Sequence, residues 1–302
     1  MRFAVTGGAG FVGSHLVKLL VKEGHNVIVI DNLHSGKREN LSSVMNNIEF
    51  VEEDIRDSKS IQKYLEDVDG IFHQAALTVV QDSFSNPEEY NDVNVNGTEN
   101  IFKIAQKNQI KVVFASSSSV YGHQKDVPIS ENAKKNPINP YGKTKLDDEI
   151  LMEKYSELGV EIIGLRYFNI FGEGQTIDYA GVITKFIDRI QANKPPIIFG
   201  DGKQIRDFIY VGDIAEFNLL AMNSNKSNLL INVGTGISIS ILELANMIIK
   251  IAGLEFKPIM EKSLEGDVIK SQANTSMLNN LFKWKAESRL EDWLKKTFFE
   301  QN

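Results

Sequence analysis

The stretch AVTGGAGFVGSHL, residues 4–16, decides the fold. A short apolar run, RFAVT, leads into it. A helical pattern, FVGSHLVKLLVKEG, leads out of it and ends at Gly24. Between them Gly8, Gly10 and Gly13 satisfy G-x-G-x-x-G, while Gly7, Gly10 and Gly13 also give G-x-x-G-x-x-G. Glycines at such a junction permit a tight turn, close approach of backbone to a pyrophosphate, and tight packing of helix on strand. The start of the helix then offers free N–H groups and the positive end of its dipole to phosphates. A glycine pattern alone is a weak signal. This one has a strand before it, a helix after it, and an acid at the end of the next strand.

That acid is Asp31 in VIVIDNLHSG, 18 residues past Gly13. The spacing suits a carboxylate that accepts the adenosine ribose hydroxyls. A 2′-phosphate would be repelled there, so the expected coenzyme is NAD and not NADP. The plain alternative makes Asp31 a turn or cap residue, and the glycines weigh against it. Asp54 and Ile55, after the third strand, are candidates for the edge of the adenine site; a loop acid and a core side chain is their plain alternative. A dinucleotide cradle by itself leaves function open, because a non-catalytic NAD-binding sensor would use the same one.

Outward from this stretch, apolar runs alternate with helical patterns. NVIVID is a second strand and IEFVEED a third, followed by the helical SKSIQKYLED. GIFHQAA is a fourth strand, followed by one long helix through NPEEYNDVNVNGTENIFKIAQKN. KVVFASSSS is a fifth, PYGKTKLDDEILMEKYSELG the next helix, and VEIIGLRYFN a sixth strand. This rhythm predicts an α/β fold: a doubly wound parallel Rossmann sheet with helices on both faces. After about residue 168 regularity falls. FGEGQTIDYAG and QANKPPIIFGDGKQ read as loops, RDFIYVGDIAEFNLLAM as a strand and helix that return to the sheet, and LLINVGTG as another strand. A helix in SILELANMIIKIAG precedes less regular structure. The expected division is a Rossmann domain over 1–167, with return segments near 205–235, and a smaller α/β substrate-binding lobe mainly over 168–302, interwoven with it.

The 302 residues are 42% hydrophobic and 24% charged, with a net charge of −7, which fits a globular chain without a basic footprint for nucleic acid. There is no cysteine, which excludes disulfides, thiolate zinc sites and cysteine nucleophiles. His15, His25, His34, His73 and His123 have no metal-ligand spacing, so no metal site is expected. MRFAVTGG enters the first strand directly, with no signal-peptide pattern, and no apolar run approaches the roughly 20 residues of a membrane span. A soluble, cytoplasmic protein is expected.

NPINPYGKTK, residues 136–145, poses a separate question. Tyr141 and Lys145 are four apart, so they share one helix face. Pro140 suits the first helical turn, and Asn136 and Asn139 can cap it. By itself the pair fits a solvated face with a snorkelling lysine as well as a tuned acid–base pair.

TGGAGFVGSHL, DNLHSG, NVNGT, SSSSVYG and PYGKTK occur in this order, and LRYFNIFG, GDGKQIRDFIYVGDIA, NVGTG and EGDV continue the match to about residue 270. With them the chain resembles the extended short-chain dehydrogenase/reductase family, in its NAD-dependent epimerase/dehydratase branch, and most closely the nucleotide-sugar 4-epimerases of the UDP-glucose type. The resemblance implies a catalytic trio of Ser117, Tyr141 and Lys145, and it selects Ser117 over Ser116, Ser118 and Ser119. It implies cofactor contacts from Gly7, Gly10, Phe11, Val12, Gly13, Asp31, Asn32, Asp54, Ile55, Ala75, Ala76, Asn94, Tyr141 and Lys145. It also implies a UDP-linked sugar substrate held by Ser117, Tyr141, Asn169 and Arg206.

The chemistry needs these residue types. A free tyrosine titrates near pH 10, so a tyrosine base at neutral pH must be acidified by neighbouring positive charge. Such a base takes the proton of the sugar 4-hydroxyl while NAD accepts the hydride from C4; Ser117 holds the same oxygen. In the epimerases that the chain resembles, the keto sugar turns over and is reduced on its other face. Sugar 4,6-dehydratases carry an Asp-Glu pair where this chain has Ser118 and Ser119, so dehydration is rejected. UDP-glucuronate decarboxylation, which also begins by oxidising C4, is the enzymatic alternative.

Three departures stand out. Leu264 occupies the place of a second diphosphate arginine, with Lys262 as a candidate substitute. Thr78 replaces a residue that is often lysine. In GDVIKSQAN the family position that guards the sugar's C2 substituent falls on Ser271, small enough to admit an acetamido group. The resemblance also implies a homodimer, through the helices that contain NVNGT and the Tyr-Lys pair.

Overall fold

The computed structural model describes residues 1–175, 181–287 and 289–299. The loop read in FGEGQTIDYAG, residues 171–181, falls in part on 176–180, outside the described residues. The strands in chain order are β1 (Arg2–Thr6), β2 (Asn26–Ile30), β3 (Ile48–Val51), β4 (Gly70–His73), β5 (Lys111–Ser117), β6 (Ile162–Tyr167), β7 (Asn169–Phe171), β8 (Ile197–Phe199), β9 (Ile205–Tyr210), β10 (Leu229–Val233), β11 (Ser238–Ser240), β12 (Ile259–Glu261) and β13 (Lys270–Ser271). Seven of them form one parallel sheet in the order β10-β6-β5-β4-β1-β2-β3. The order reverses between β1 and β4, and a crevice opens there at the carboxyl ends of the strands.

Alternation along the strands builds two cores. Phe3 and Val5 of β1 pack with Leu16, Val17 and Leu20 of the Phe11–Lys22 helix and with Ile214 and Phe217 of the Val211–Asn223 helix. Ala4, on the opposite face, packs with Ile61 of the Ser58–Leu65 helix, Phe102 of the Gly97–Asn108 helix and Met152 of the Pro140–Glu157 helix. Each such large side chain taken from water stabilises the fold by about 1.5–3 kcal/mol. This is the doubly wound parallel sheet that the sequence rhythm predicts.

A third core surrounds Phe186, Ile198, Phe208, Leu244, Ile248 and Leu294. Over it lie a sheet of β11, β9, β13 and β7 and a β8–β12 pair. The Ile241–Ile251 helix begins at a capping box, Ser240 with Glu243, which satisfies two backbone donors reciprocally.

Four expectations differ from the structure. The strand in RDFIYVGDIAEFNLLAM does not return to the parallel sheet: β9 pairs with β7, β11 and β13, while Ile209 of β9 and the helix after it pack on the Rossmann side. The single helix over 86–108 is broken into Pro87–Asn91, a π turn over Asp92–Asn96, and Gly97–Asn108. The buried Asn94 amide anchors that π turn, bonding both backbone groups of Leu77. The fifth strand stops at Ser117, because the Ser117 hydroxyl accepts the Ser119 N–H and starts a 3-10 turn over Ser118–Tyr121. β8 lies within the loop-like QANKPPIIFGDGKQ, and helices Val182–Gln191, Ser276–Phe282 and Leu290–Phe299 occupy stretches that read as irregular.

Candidate active site

A cleft of about 580 Å³ runs from the glycine turn across the ends of β4 and β5 to β9 and β13. Its glycine end is built for close backbone approach. Gly7 has φ +67°, and a Cβ there would lie 2.6 Å from the Ala75 nitrogen; a Cβ on Gly13 would lie 2.1 Å from the Gly7 carbonyl oxygen. A Cβ on Gly10 would meet only that carbonyl, 3.2 Å away, because the residue borders the open cleft. Gly10 is also the N-cap of the Phe11–Lys22 helix, and no side chain caps the free N–H groups. Those donors, aimed into a cleft without side-chain bulk, fit a pyrophosphate.

Asp31 is buried at the same end. Its Oδ2 accepts the Ala9 N–H at 2.9 Å and its Oδ1 the Leu33 N–H at 2.8 Å. Burial raises its proton affinity and the two backbone donors oppose the rise. The carboxylate therefore shapes the glycine turn, and each oxygen keeps a lone pair for a ribose hydroxyl. Asn32 donates to Asp54 at 2.8 Å, and Arg56 ion-pairs with Asp54 at 2.8 Å and with Asp92 at 3.2 Å. The Arg56 hydrogen bonds hold the Asp54 carboxyl down at about 2, against desolvation. Phe11, Val12, Ile55, Ala75 and Ala76 complete this end of the wall. The donor set fits a dinucleotide with free ribose hydroxyls.

At the middle of the cleft the structure joins Ser117, Tyr141 and Lys145. Asn139, not Asn136, caps the Pro140–Glu157 helix: its Oδ1 accepts the Gly142 N–H at 2.7 Å, with Pro140 in the first turn. The Tyr141 N–H donates to Ser83 Oγ at 3.2 Å. Lys145 is 3% exposed, with Nζ 3.1 Å from Asp148 Oδ2. A solvated lysine face is thereby excluded. Among the four serines, Ser116 is committed elsewhere, since its hydroxyl donates to Glu149 at 2.7 Å.

The far end gathers residues a hundred positions apart. β9 pairs with both β7 and β13, so Asn169, Arg206 and Ser271 come from one small sheet, with Arg206 and Ser271 directly paired. Arg206 is 8% exposed and ion-pairs with Asp267. Burial lowers its pKa, and Asp267 opposes that. Leu264 and Thr78 line the cleft; Lys262 is exposed and stands outside the lining.

One expected cofactor contact lies outside the cleft lining. Asn94 lies behind the wall, 0% exposed, with its amide spent on Leu77 and on Thr144 Oγ1 at 3.0 Å. It fixes the loop after β4 to the Pro140–Glu157 helix. The sequence reading missed Arg56, Asp148, Glu149, Arg166 and Asp267. A signal existed for two of them: the Pro140–Glu157 helix has no single apolar stripe, yet it buries Lys145, Asp148 and Glu149.

Among the described residues no helix is long and apolar enough to cross a membrane. The family model for the NAD dependent epimerase/dehydratase family matches residues 3–234. A putative UDP-glucose 4-epimerase of Methanocaldococcus jannaschii is 42% identical over 297 residues, covering 97% of this chain and 95% of the relative. A UDP-N-acetyl-alpha-D-glucosaminuronate decarboxylase of Bacillus cytotoxicus is 37% identical over 251 residues, covering 81% and 78%. The solved UDP-N-acetylglucosamine 4-epimerase of Methanobrevibacter ruminantium, in complex with UDP-N-acetylmuramic acid, superposes with a TM-score of 0.94 at 37% identity, covering 99% of this chain and 98% of that one. The glycine turn, the reversed strand order and the Tyr-Lys helix fall within the matched region, and the chain belongs to the NAD dependent epimerase/dehydratase family.

Proposed function

We propose that this protein is an isomerase that inverts C4 of a UDP-linked sugar, interconverting UDP-glucose and UDP-galactose and also their N-acetylated counterparts. The observation that carries the reading is the meeting of Ser117, Tyr141 and the buried Lys145 between a dinucleotide cradle and a basic substrate end. Bound NAD supplies the hydride acceptor, which returns what it takes. Tyr141 receives the proton of the 4-hydroxyl and later gives it back. Lys145 supplies positive charge behind the phenol, and Ser117 holds the sugar oxygen. Arg206 and Asn169 hold the diphosphate, the guanidinium by charge-assisted hydrogen bonds. Neither Ser118 nor Ser119 can act as the acid or base of a dehydration.

The test is incubation with a panel of UDP-sugars, without added coenzyme, and identification of the products. Epimers from both sugar pairs are expected. A 32% identical UDP-glucuronic acid decarboxylase of Arabidopsis thaliana favours one second reading, UDP-glucuronate decarboxylation, which predicts carbon dioxide and a pentose product instead. An NAD-binding sensor predicts no product from any sugar. A homodimer is part of the proposal, read out by sedimentation.

Coenzyme choice follows from Asp31. A phosphate about 4 Å from its carboxylate meets about 4 kcal/mol of repulsion at an effective dielectric near 20. NAD is therefore expected to bind stripped protein at least ~100-fold more tightly than NADP. Comparable affinities in a fluorescence titration would overturn the role given to Asp31.

Pocket width follows from Ser271, small, buried and paired with Arg206. The 37% identical UDP-N-acetylglucosamine 4-epimerase supports an acetamido-tolerant pocket. A tyrosine ring would fill the space beside C2. Ser271→Tyr is expected to lower acetamido turnover roughly tenfold or more relative to UDP-galactose. Rate constants for both pairs check it; an unchanged ratio refutes the assignment.

A further inference from the structure

We propose that Asp148 is a positioning residue, a buried counter-charge that holds the Lys145 ammonium in place behind Tyr141 and gives up that hold when it takes a proton. The inference rests on the roles given to Tyr141 and Lys145 above. Asp148 does not line the cleft; it lies beneath it, 0% exposed, one turn along the helix from Lys145. Its Oδ2 is 3.1 Å from Lys145 Nζ, and this is the only ion pair of Lys145 among the described residues. Its Oδ1 is buried with no partner at full hydrogen-bond geometry. One half of the carboxylate thus serves the lysine, and the other meets only the weaker pull of the nearby Thr98 hydroxyl, itself bonded to His73, which is costly in a dry interior.

The surroundings make this charge labile. Burial pushes the Asp148 carboxyl up to about 7, against the pull of Lys145 and of the Thr98 hydroxyl. The other groups facing the pair come from β4 and from the same helix. His73 of β4 is bonded to Thr6 at 2.7 Å and to Thr98 at 2.8 Å, and burial, reinforced by Lys145, drops it to about 3, so it stays neutral. Asp147 adds a weak like charge. Above about pH 7 Asp148 is a carboxylate and Lys145 is paired. As pH falls through 7 the carboxylate is lost and a buried ammonium stands alone. An unpaired buried charge is expensive, so its fixed position behind Tyr141 is given up.

Infrared difference spectroscopy of the holoenzyme across neutrality tests this directly, alongside steady-state kinetics. The wild type is expected to show a protonated-carboxyl band titrating near 7, with kcat falling along the same step as pH drops. Asp148→Asn is expected to lose the band. Its kcat should fall roughly tenfold, ~1.4 kcal/mol of barrier, with KM and NAD retention unchanged and no step near neutrality. Thr98→Val keeps the ion pair and removes the hydroxyl that opposes protonation. The band and the kinetic step should then move together to higher pH. A band that persists in Asp148→Asn, or an Asp148→Asn enzyme with wild-type kcat and pH profile, overturns the proposal. If Asp148→Asn does not fold, Thr98→Val decides, and a kinetic step that fails to follow the band refutes it. If the wild type converts no nucleotide sugar, the functional reading fails while the infrared band still shows whether Asp148 titrates against Lys145.

Discussion

Tyr141→Phe should abolish most turnover while leaving the protein folded and loaded with NAD. The substitution keeps the ring against the cleft wall and keeps the backbone N–H bond to Ser83, so it removes only the hydroxyl. Loss of a positioned general acid–base costs roughly 10²–10⁴ in rate. Product formation from UDP-glucose, measured with NAD content by absorbance, separates chemistry from binding. Near wild-type epimerisation by Tyr141→Phe would assign the base elsewhere. Loss of NAD along with activity would mean that the hydroxyl serves the cofactor and not the sugar.

Glu149→Gln should produce the largest loss of stability. Glu149 and Arg166 are each 1% exposed and face each other as a fork, at 2.7 Å through Nε and 2.8 Å through Nη2. Arg166 also donates to the Tyr121 hydroxyl at 2.7 Å, and Tyr121 donates to Asn232 at 2.6 Å, so the network ties β5, β6, β10 and the Tyr-Lys helix together. A glutamine keeps the shape but leaves the guanidinium buried with no charge opposite it. Breaking such a pair costs about 3–5 kcal/mol. Taking ~2 °C per kcal/mol for a chain of this size, the unfolding midpoint should fall by about 6–10 °C. Calorimetry and urea titration measure it. The double variant Glu149→Leu with Arg166→Met removes both charges and should recover much of the loss. If it is no more stable than Glu149→Gln, the network is held by something other than charge pairing.

Part of this protein is legible in one dimension. The glycine turn, Asp31 and the strand–helix rhythm need only local spacing, because a parallel sheet buried on both faces demands continuous apolar strands and short polar connections. The parallel sheet followed from that, as did the positions of Ser117, Tyr141 and Lys145 once the ordered motifs were taken together. Local pattern failed where a segment's partner lies far along the chain. Nothing in RDFIY says whether the strand joins the Rossmann sheet or pairs with β7, β11 and β13, since both outcomes bury the same side chains.

The same limit governed individual residues. Asn94 sits in a stretch that reads as a cofactor contact, but its amide is consumed by Leu77 and Thr144, 50 residues away in the case of Thr144. In the sequence Asp148 and Glu149 carry only the weak signal of a helix with no single apolar stripe. Folding places one beneath Lys145 and the other against Arg166, in an interior where a charge must find a partner or change its protonation. The sequence alone determined the cofactor cradle and the kinds of residue available for chemistry, because those depend on backbone reach over a few residues. The tertiary structure decided which of the four cleft serines is tied up by Glu149 and which acids are buried, because burial and charge pairing depend on neighbours that only the folded chain brings together.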